Sequence, residues 1–523
     1  MNKLFGIIFG DNFYEKPRTA ISRSTGMHRV ATLLRKRDVV VEAVDFFNSW
    51  TEEELISFVS KFPVIDFIGL SLGLSTLDRD KIVKLIKYLK DTHPNIKIIA
   101  GGSNVLGNQF NIDNPSSENP LDKVDMFFKG FTDGAMDDIV TFIKNGKINP
   151  FIVQTINTHD VRKVVNCTEH YPKFDLSNLQ TEYIDNDFIN NNESLTLETS
   201  RGCIFKCKFC SFPLIGKNKN DYIREKQDIK QELINNYKRW GITKYSITDD
   251  TFNDNEIKVD MLYEISQELD FKLNLIAYAR VDLLHARPGS LDKLIKTGIN
   301  GLFFGIESLN DHTSRLIGKG LTGDKLKNYL IDIKQQYPDL HITGSFVVGL
   351  PHEPADVFHA NIDWTLKEKV FGSYNFYPLS IPIDNKVNYT STFTTEWQKY
   401  GYSSMTDEEI LKFVEDNSSH PQFEWLLKNT GYLFKHHSMA WKNEHMTFLD
   451  AIYNSELSKK KVAPHTSVSG WTVFAQSFNK PDIVTSLQMK RTSVDWNKQI
   501  KDAENFVNIY KSKKISITNL AVK

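Results

Sequence analysis

Leu195-Thr196-Leu197-Glu198-Thr199-Ser200-Arg201-Gly202-Cys203-Ile204-Phe205-Lys206-Cys207-Lys208-Phe209-Cys210 runs from a short apolar segment directly into a loop bearing three thiols. The segment Leu195–Glu198 predicts a strand, and the loop therefore sits at its carboxyl end. The thiols of Cys203, Cys207 and Cys210 are separated by three residues and then by two. A loop so spaced can wrap a cubane and give thiolates to three of its irons, leaving the fourth open. The alternative is a structural zinc site. Tetrahedral zinc wants four closed ligands, however, and no CxxC or HxxxH partner lies nearby. Cys167, the remaining cysteine, reads as an unreactive, partly buried thiol.

Beyond this loop the same rhythm recurs. Strands are expected at Tyr245–Thr248, Leu273–Ala277, Gly301–Gly305, His341–Val348 and Ser373–Leu379, with helical patterns between them. Six strand–helix units predict a partial (β/α)6 barrel over residues 193–384, with its site at the carboxyl ends of the strands. Upstream, apolar runs at Lys3–Gly10, Val39–Phe46, Phe67–Leu72, Ile96–Ala100 and Met126–Lys129 alternate with amphipathic segments. That pattern predicts an N-terminal Rossmann-like doubly wound sheet over residues 1–146. Residues 147–192 are polar and rich in Asn and Asp, and read as an irregular connector. Residues 385–523 carry helical patterns and many aromatics, and read as a mostly helical C-terminal region.

Composition bounds the rest. A chain of 523 residues predicts about three domains. Hydrophobic residues at 40% and charged residues at 25% give an ordinary globular balance. The net charge of −1 supplies no field for nucleic acid or anionic lipid. The lysine runs at Lys459–Lys461 and Lys511–Lys514 read as solvated faces. No apolar run approaches the ~18 residues that span a bilayer, and the chain is expected to be cytoplasmic.

The thiol loop and the strand ends C-terminal to it resemble the radical S-adenosylmethionine (SAM) superfamily, in its branch with a cobalamin-binding domain. In that family the open iron chelates the amino and carboxylate groups of SAM, and an electron from the [4Fe-4S] cluster releases a 5′-deoxyadenosyl radical. Phe209 matches the aromatic near the adenine. Thr248-Asp249-Asp250-Thr251-Phe252 resembles an acidic turn, and the resemblance implies that Asp249 and Asp250 meet the methionine amino group. Charged carboxylates suit an ammonium partner in a water-poor site. Arg280 matches a strand-end arginine that holds the methionine carboxylate. Glu307 and Ser308 match a polar contact to the ribose or methionine portion. Gly344 through Val348, in a stretch that continues to Gly349-Leu350-Pro351-His352-Glu353, resembles the motif lining the adenine. In isolation, Asp249-Asp250 reads as a helix cap, and Arg280 or Glu307 as a structural ion pair.

Residues 1–146 resemble the cobalamin-binding domain fused ahead of such barrels. Ser71 and Leu72, within Gly69–Ser75, and the Gly101-Gly102 turn match the places that surround the corrin edge and nucleotide tail. Small residues there let a flat cofactor approach the backbone. The loop after the first strand lacks the Asp-x-His-x-x-Gly that gives an axial imidazole, and Gly130-Phe131-Thr132-Asp133 replaces the usual acidic run. Asn12–Gly26 is a long loop containing Arg18 and Arg23, with His28 beyond it. Such loops often serve binding. His436, His437, Trp425, Tyr432, Phe434 and Trp441 are ranked low as residues that cap the barrel mouth.

The resemblance implies cobalamin-dependent methylation of an unactivated carbon in a small-molecule or other substrate, with an external flavodoxin- or ferredoxin-type reductase as electron donor. A cobalamin-free radical SAM reaction and a non-catalytic iron–sulfur or zinc module are the alternatives.

Overall fold

The computed structural model describes residues 3–12, 18, 21–72, 77–102, 123–157, 161–171, 176, 179–210, 217, 220–381, 391–419, 440–465 and 496–517. The chain divides into two compact units. One comprises Met1–Thr196, Arg224–Ile242 and Asp495–Lys523; the other comprises Leu197–Ile223 and Thr243–Val494.

The first unit is built on seven strands: β1 (Phe5–Phe9), β2 (Val40–Val44), β3 (Phe67–Ser71), β4 (Lys97–Gly102), β5 (Met126–Lys129), β6 (Val153–Asn157) and β7 (Val161–Asn166). Their order is β2-β1-β3-β4-β5-β7-β6. Every pairing is parallel except that of β6 with β7. Parallel strands need both faces covered, which explains their near-continuous apolar runs. Ile8, Ile99 and Phe128 share one core with Met27 and Leu34 of the helix Thr25–Arg35 and Ile139 and Ile143 of the helix Met136–Asn145. The helices Glu52–Val59 and Arg79–Thr92 pack on each other and bury Leu55, Phe58, Ile82, Leu85 and Leu89 outside that core. Chain order reverses between β1 and β3, which makes their carboxyl ends the ligand crevice of this class of sheet.

Two expectations are corrected here. Residues 147–192 are not wholly irregular, because β6 and β7 extend the sheet beyond β5. Val164 and Val165 are buried there opposite Phe127 and Phe128, but the run is short and flanked by Asn, which hides its period. The helix Trp496–Ile515 belongs to the first unit, not to a body formed with residues 385–494. Its Tyr510 hydroxyl accepts the Asp45 N–H at 3.0 Å, and its buried Lys514 Nζ donates to Glu42 Oε2 at 2.9 Å.

Six further strands form a second sheet, in chain order: β8 (Ser194–Leu197), β9 (Lys244–Ile247), β10 (Asn274–Ala279), β11 (Ile299–Glu307), β12 (His341–Val348) and β13 (Ser373–Pro378). The pairings from β9 to β13 are parallel. A sheet that never reverses its order curls into a partial barrel, with helices such as Glu256–Glu268, Gly323–Gln336 and Ala355–Glu368 between the strands. All six strands lie within about three residues of their expected bounds. The helix Phe448–Val462 packs on β12 and β13. Among the described residues no helix is long and apolar enough to cross a membrane.

Candidate functional site

The thiol loop leaves β8 and is pinned on both flanks by backbone. Arg201 N–H donates to Tyr222 O at 2.9 Å, and Lys217 N–H donates to Cys203 O at 3.1 Å. Gly202 turns the chain with φ at +105°, a region that favours glycine. Cys210 N–H closes a turn onto Cys207 O at 3.0 Å. Cys203 is buried, and burial pushes its thiol above the ordinary range; Cys207 and Cys210 are partly exposed.

Directly beneath, Asp249 at the end of β9 holds the loop. Its Oδ1 accepts the N–H groups of Thr199 (2.7 Å) and Ser200 (3.1 Å), and its Oδ2 accepts the Ser200 hydroxyl at 2.7 Å. Lys258, fully buried, stands 3.3 Å from Asp249 and 2.6 Å from Asp254, and also donates to Ser200 Oγ and Thr251 O. Asp254 in turn accepts Ile204 N–H at 3.2 Å. Asp249 is therefore committed to the loop and not open to an ammonium ligand, contrary to the expectation for the pair. Asp250 differs: its carboxylate accepts no hydrogen bond among the described residues, and burial together with the Asp249 charge pushes it up to about 6.

Arg280 follows β10 and grips the same loop. Its guanidinium is bidentate to Asp282, lies 3.9 Å from the Phe205 ring centroid, and brings Nη1 to 3.1 Å from Cys207 Sγ. The two nitrogens held by Asp282 are not available for a methionine carboxylate. Glu307 ends β11 at a bulge, with φ at +64°, and pairs with Lys319 at 3.3 Å. Lys319 also sits 5.6 Å from the Phe209 ring.

Ser308 departs from its expected role as well. Its hydroxyl donates to Glu353 Oε1 at 2.6 Å and accepts Asn310 N–H, so it joins β11 to the turn after β12. Gly344 is required by packing, since a Cβ there would meet the Phe371 ring at 2.9 Å. Val348 is buried in β12. Trp441 is core: its indole N–H donates to Leu379 O at 2.8 Å. His436, His437, Trp425, Tyr432 and Phe434 lie outside the described residues.

Among the described residues, the one trio of His, Cys, Asp or Glu whose donor atoms all lie within 4.8 Å of one another is His352, Glu444 and His445, so at least one pair of the three loop sulfurs stands farther apart than that. One zinc ion with bonds of about 2.3 Å would hold its sulfurs about 3.8 Å apart.

In the first unit, Ser71, Leu72, Gly101 and Gly102 stand together at the carboxyl ends of β3 and β4, where Leu72 N–H donates to Gly101 O at 2.7 Å. Leu72 is buried, whereas Ser71 and both glycines are partly exposed. A Cβ on Gly101 would meet nothing nearer than Phe128 O at 3.6 Å, so packing does not demand glycine there. A close-approaching flat group would, and in this respect the edge fits a corrin.

The loop arginines and His28 form buried structure. Arg18 pairs with Asp11 at 2.6 Å, Arg23 joins Asp45 and Glu193, and His28 Nε2 bonds Asp45 at 2.8 Å. Cys167 is buried, and burial pushes its thiol up to about 12. Sequence reasoning missed Lys258 and Asp254 as parts of the site. Lys258 lies in the first turn of the helix Glu256–Glu268, just beyond the turn that carries Asp254.

Residues 197–365, the barrel, match the model of the Radical SAM superfamily, and the chain that carries this domain is an enzyme. An uncharacterized methyltransferase of Pyrococcus horikoshii is 23% identical over 455 residues, covering 82% of this chain and 94% of that one. Among solved structures, the radical SAM methyltransferase TsrM of Kitasatospora setae, with cobalamin and a [4Fe-4S] cluster bound, superposes with a TM-score of 0.62 at 12% identity. The match covers 99% of this chain and 100% of that one. The cobalamin-dependent radical SAM enzyme OxsB, with aqua-cobalamin bound, gives 0.51 at 14% identity over 98% and 84% of the two chains. Identities this low make both likenesses ones of fold.

Proposed function

We propose that this enzyme binds a [4Fe-4S] cluster on Cys203, Cys207 and Cys210, SAM at the open iron, and cobalamin in its first unit, and that it methylates an unactivated carbon of a small molecule. The three-thiol loop at the carboxyl end of β8, within the barrel that matches the Radical SAM model, carries this reading, and the open glycine edge of β4 supports the cobalamin part. The bound groups supply electron transfer to SAM and methyl delivery; the chain supplies position and exclusion of water. Asp250 receives the methionine ammonium, its own solvation being largely lost on burial. Arg280 steadies the loop from Phe205 to Cys207, and Nη1 puts positive charge beside that sulfur. Lys319 is held between Glu307 and the Phe209 ring, and so fixes the aromatic placed against the adenine. Ser71, Leu72, Gly101 and Gly102 border the corrin edge. Amino-acid side chains do not themselves supply the low-potential electron that the cluster needs, so a flavodoxin- or ferredoxin-type donor is part of the proposal.

Anaerobic reconstitution tests it. Protein loaded with iron and sulfide should release 5′-deoxyadenosine from SAM on reduction, and should retain one equivalent of hydroxocobalamin absorbance through gel filtration. Turnover of SAM without corrin retention would leave a cobalamin-free radical enzyme. Cluster without any SAM cleavage would leave a non-catalytic module.

A further inference from the structure

Outside that site, three side chains from two separate stretches of the second unit meet on one oxygen. His352 Nδ1 lies 2.9 Å from Glu444 Oε1, and His445 Nε2 lies 3.0 Å from the same atom. Their donor atoms all fall within 4.8 Å of one another. The His312 ring lies 4.9 Å, centroid to centroid, from that of His352.

The arrangement is braced on both sides. Glu444 and His445 occupy a tight turn flanked by a Lys442–Thr447 bridge, in which Asn443 Oδ1 accepts the N–H groups of His445 (2.8 Å) and Met446 (2.9 Å). Asn443 Nδ2 also donates to Gly349 O, which ties the turn to the loop after β12. His352 is in the left-handed region with φ at +58°. Histidine is among the few side chains that tolerate it.

Donors about 2.1 Å from a single ion stand about 3.0–3.4 Å apart, so each nitrogen is already close to chelating distance from the shared oxygen. Two imidazoles and one carboxylate select a borderline divalent transition ion over magnesium or calcium, which prefer all-oxygen shells. We propose that His352, Glu444 and His445 form a zinc-class metal site. The trio faces solvent, from which the ion enters. A bound ion would staple the turn at 443–446 to the loop that carries Glu353. The proposal is independent of the cluster, SAM and cobalamin.

The test uses cluster-loaded full-length protein. After equilibration with equimolar zinc chloride in the presence of excess magnesium and passage through a desalting column, zinc and iron are measured together. The wild-type chain should retain one zinc with its iron unchanged. Glu444→Gln and His445→Ala should each retain at least fivefold less zinc with the same iron content and the same circular dichroism. Equal zinc in wild type and variants, no zinc in wild type, or zinc gained at the expense of iron would each overturn the proposal.

Discussion

Lys258 Nζ lies 3.3 Å from Asp249 Oδ2, with both side chains wholly out of solvent. The same ammonium stands 2.6 Å from Asp254 Oδ1, so one cation serves two carboxylates that between them hold Thr199, Ser200 and Ile204 of the thiol loop. The loop owes its shape less to its own sequence than to this charge beneath it.

Lys258→Met should therefore act on the cluster through the loop. Removing one partner of a buried ionic cluster costs about 3–5 kcal/mol, because the remaining charges stay desolvated. The expected result is a lowered melting temperature and, at temperatures where the chain stays folded, a several-fold loss of bound iron after reconstitution. Unchanged iron content in a folded variant would show that Asp249 positions the loop unaided.

The cysteines divide sharply. Cys203→Ala, Cys207→Ala and Cys210→Ala should each lose most cluster absorbance and all 5′-deoxyadenosine production. Cys167→Ser should retain its iron, since Cys167 lies buried in the first unit with its sulfur 3.8 Å from Val165 O. Iron lost from the Cys167 variant alone would reassign the ligand set.

Much of the architecture is legible in the sequence, for physical reasons. Burial on both faces turns each parallel strand into a near-continuous apolar run between helices of period 3.6, so the strands of both sheets except β6 and β7 can be read from the sequence. The three cysteines stand out because so few others compete with them. Side-chain commitments are not legible. Asp249 and Asp250 are neighbours of the same type, yet one is saturated by Thr199, Ser200 and Lys258 while the other accepts nothing from the described residues, and only the path of the chain decides which. Tyr510 is equally silent, because its partner Asp45 lies 465 residues away.

That distant partner makes the C-terminal helix a stabiliser of the first unit. Tyr510→Phe leaves the buried Asp45 N–H without its acceptor at a cost of about 1–3 kcal/mol. Lys514→Met strands Glu42 at about 3 kcal/mol or more. Urea unfolding should register both losses, and deletion of residues 496–523 should exceed either. A deletion without effect on stability would sink this assignment.

Gly101→Val probes the corrin edge. Because a Cβ there makes only ordinary contact, stability should change by less than about 1 kcal/mol beyond the gain in strand propensity. Hydroxocobalamin retention should fall at least tenfold, with iron content and SAM cleavage at the cluster retained. Full corrin retention would remove β4 from the binding edge.

Glu353 sets a pH dependence of opposite sign to that of most carboxylates. Burial pushes its carboxyl up to about 7 despite the Ser308 hydroxyl at 2.6 Å, and its Oε2 has no hydrogen-bond partner among the described residues. The folded chain thus holds this proton at pH values where the unfolded chain, with an ordinary glutamate, has released it. Between the unfolded value and about 7 the unfolded state binds fewer protons, so stability falls as pH rises through that window and levels off above it. The whole span amounts to ~3 kcal/mol at most. Glu353→Gln keeps the shape and cannot ionise, and should flatten that slope, leaving the variant more stable than wild type at pH 8 and nearly equal to it at pH 5. Parallel stability–pH curves for the two proteins would show that Glu353 is already ionised in the fold, held by a partner other than Ser308.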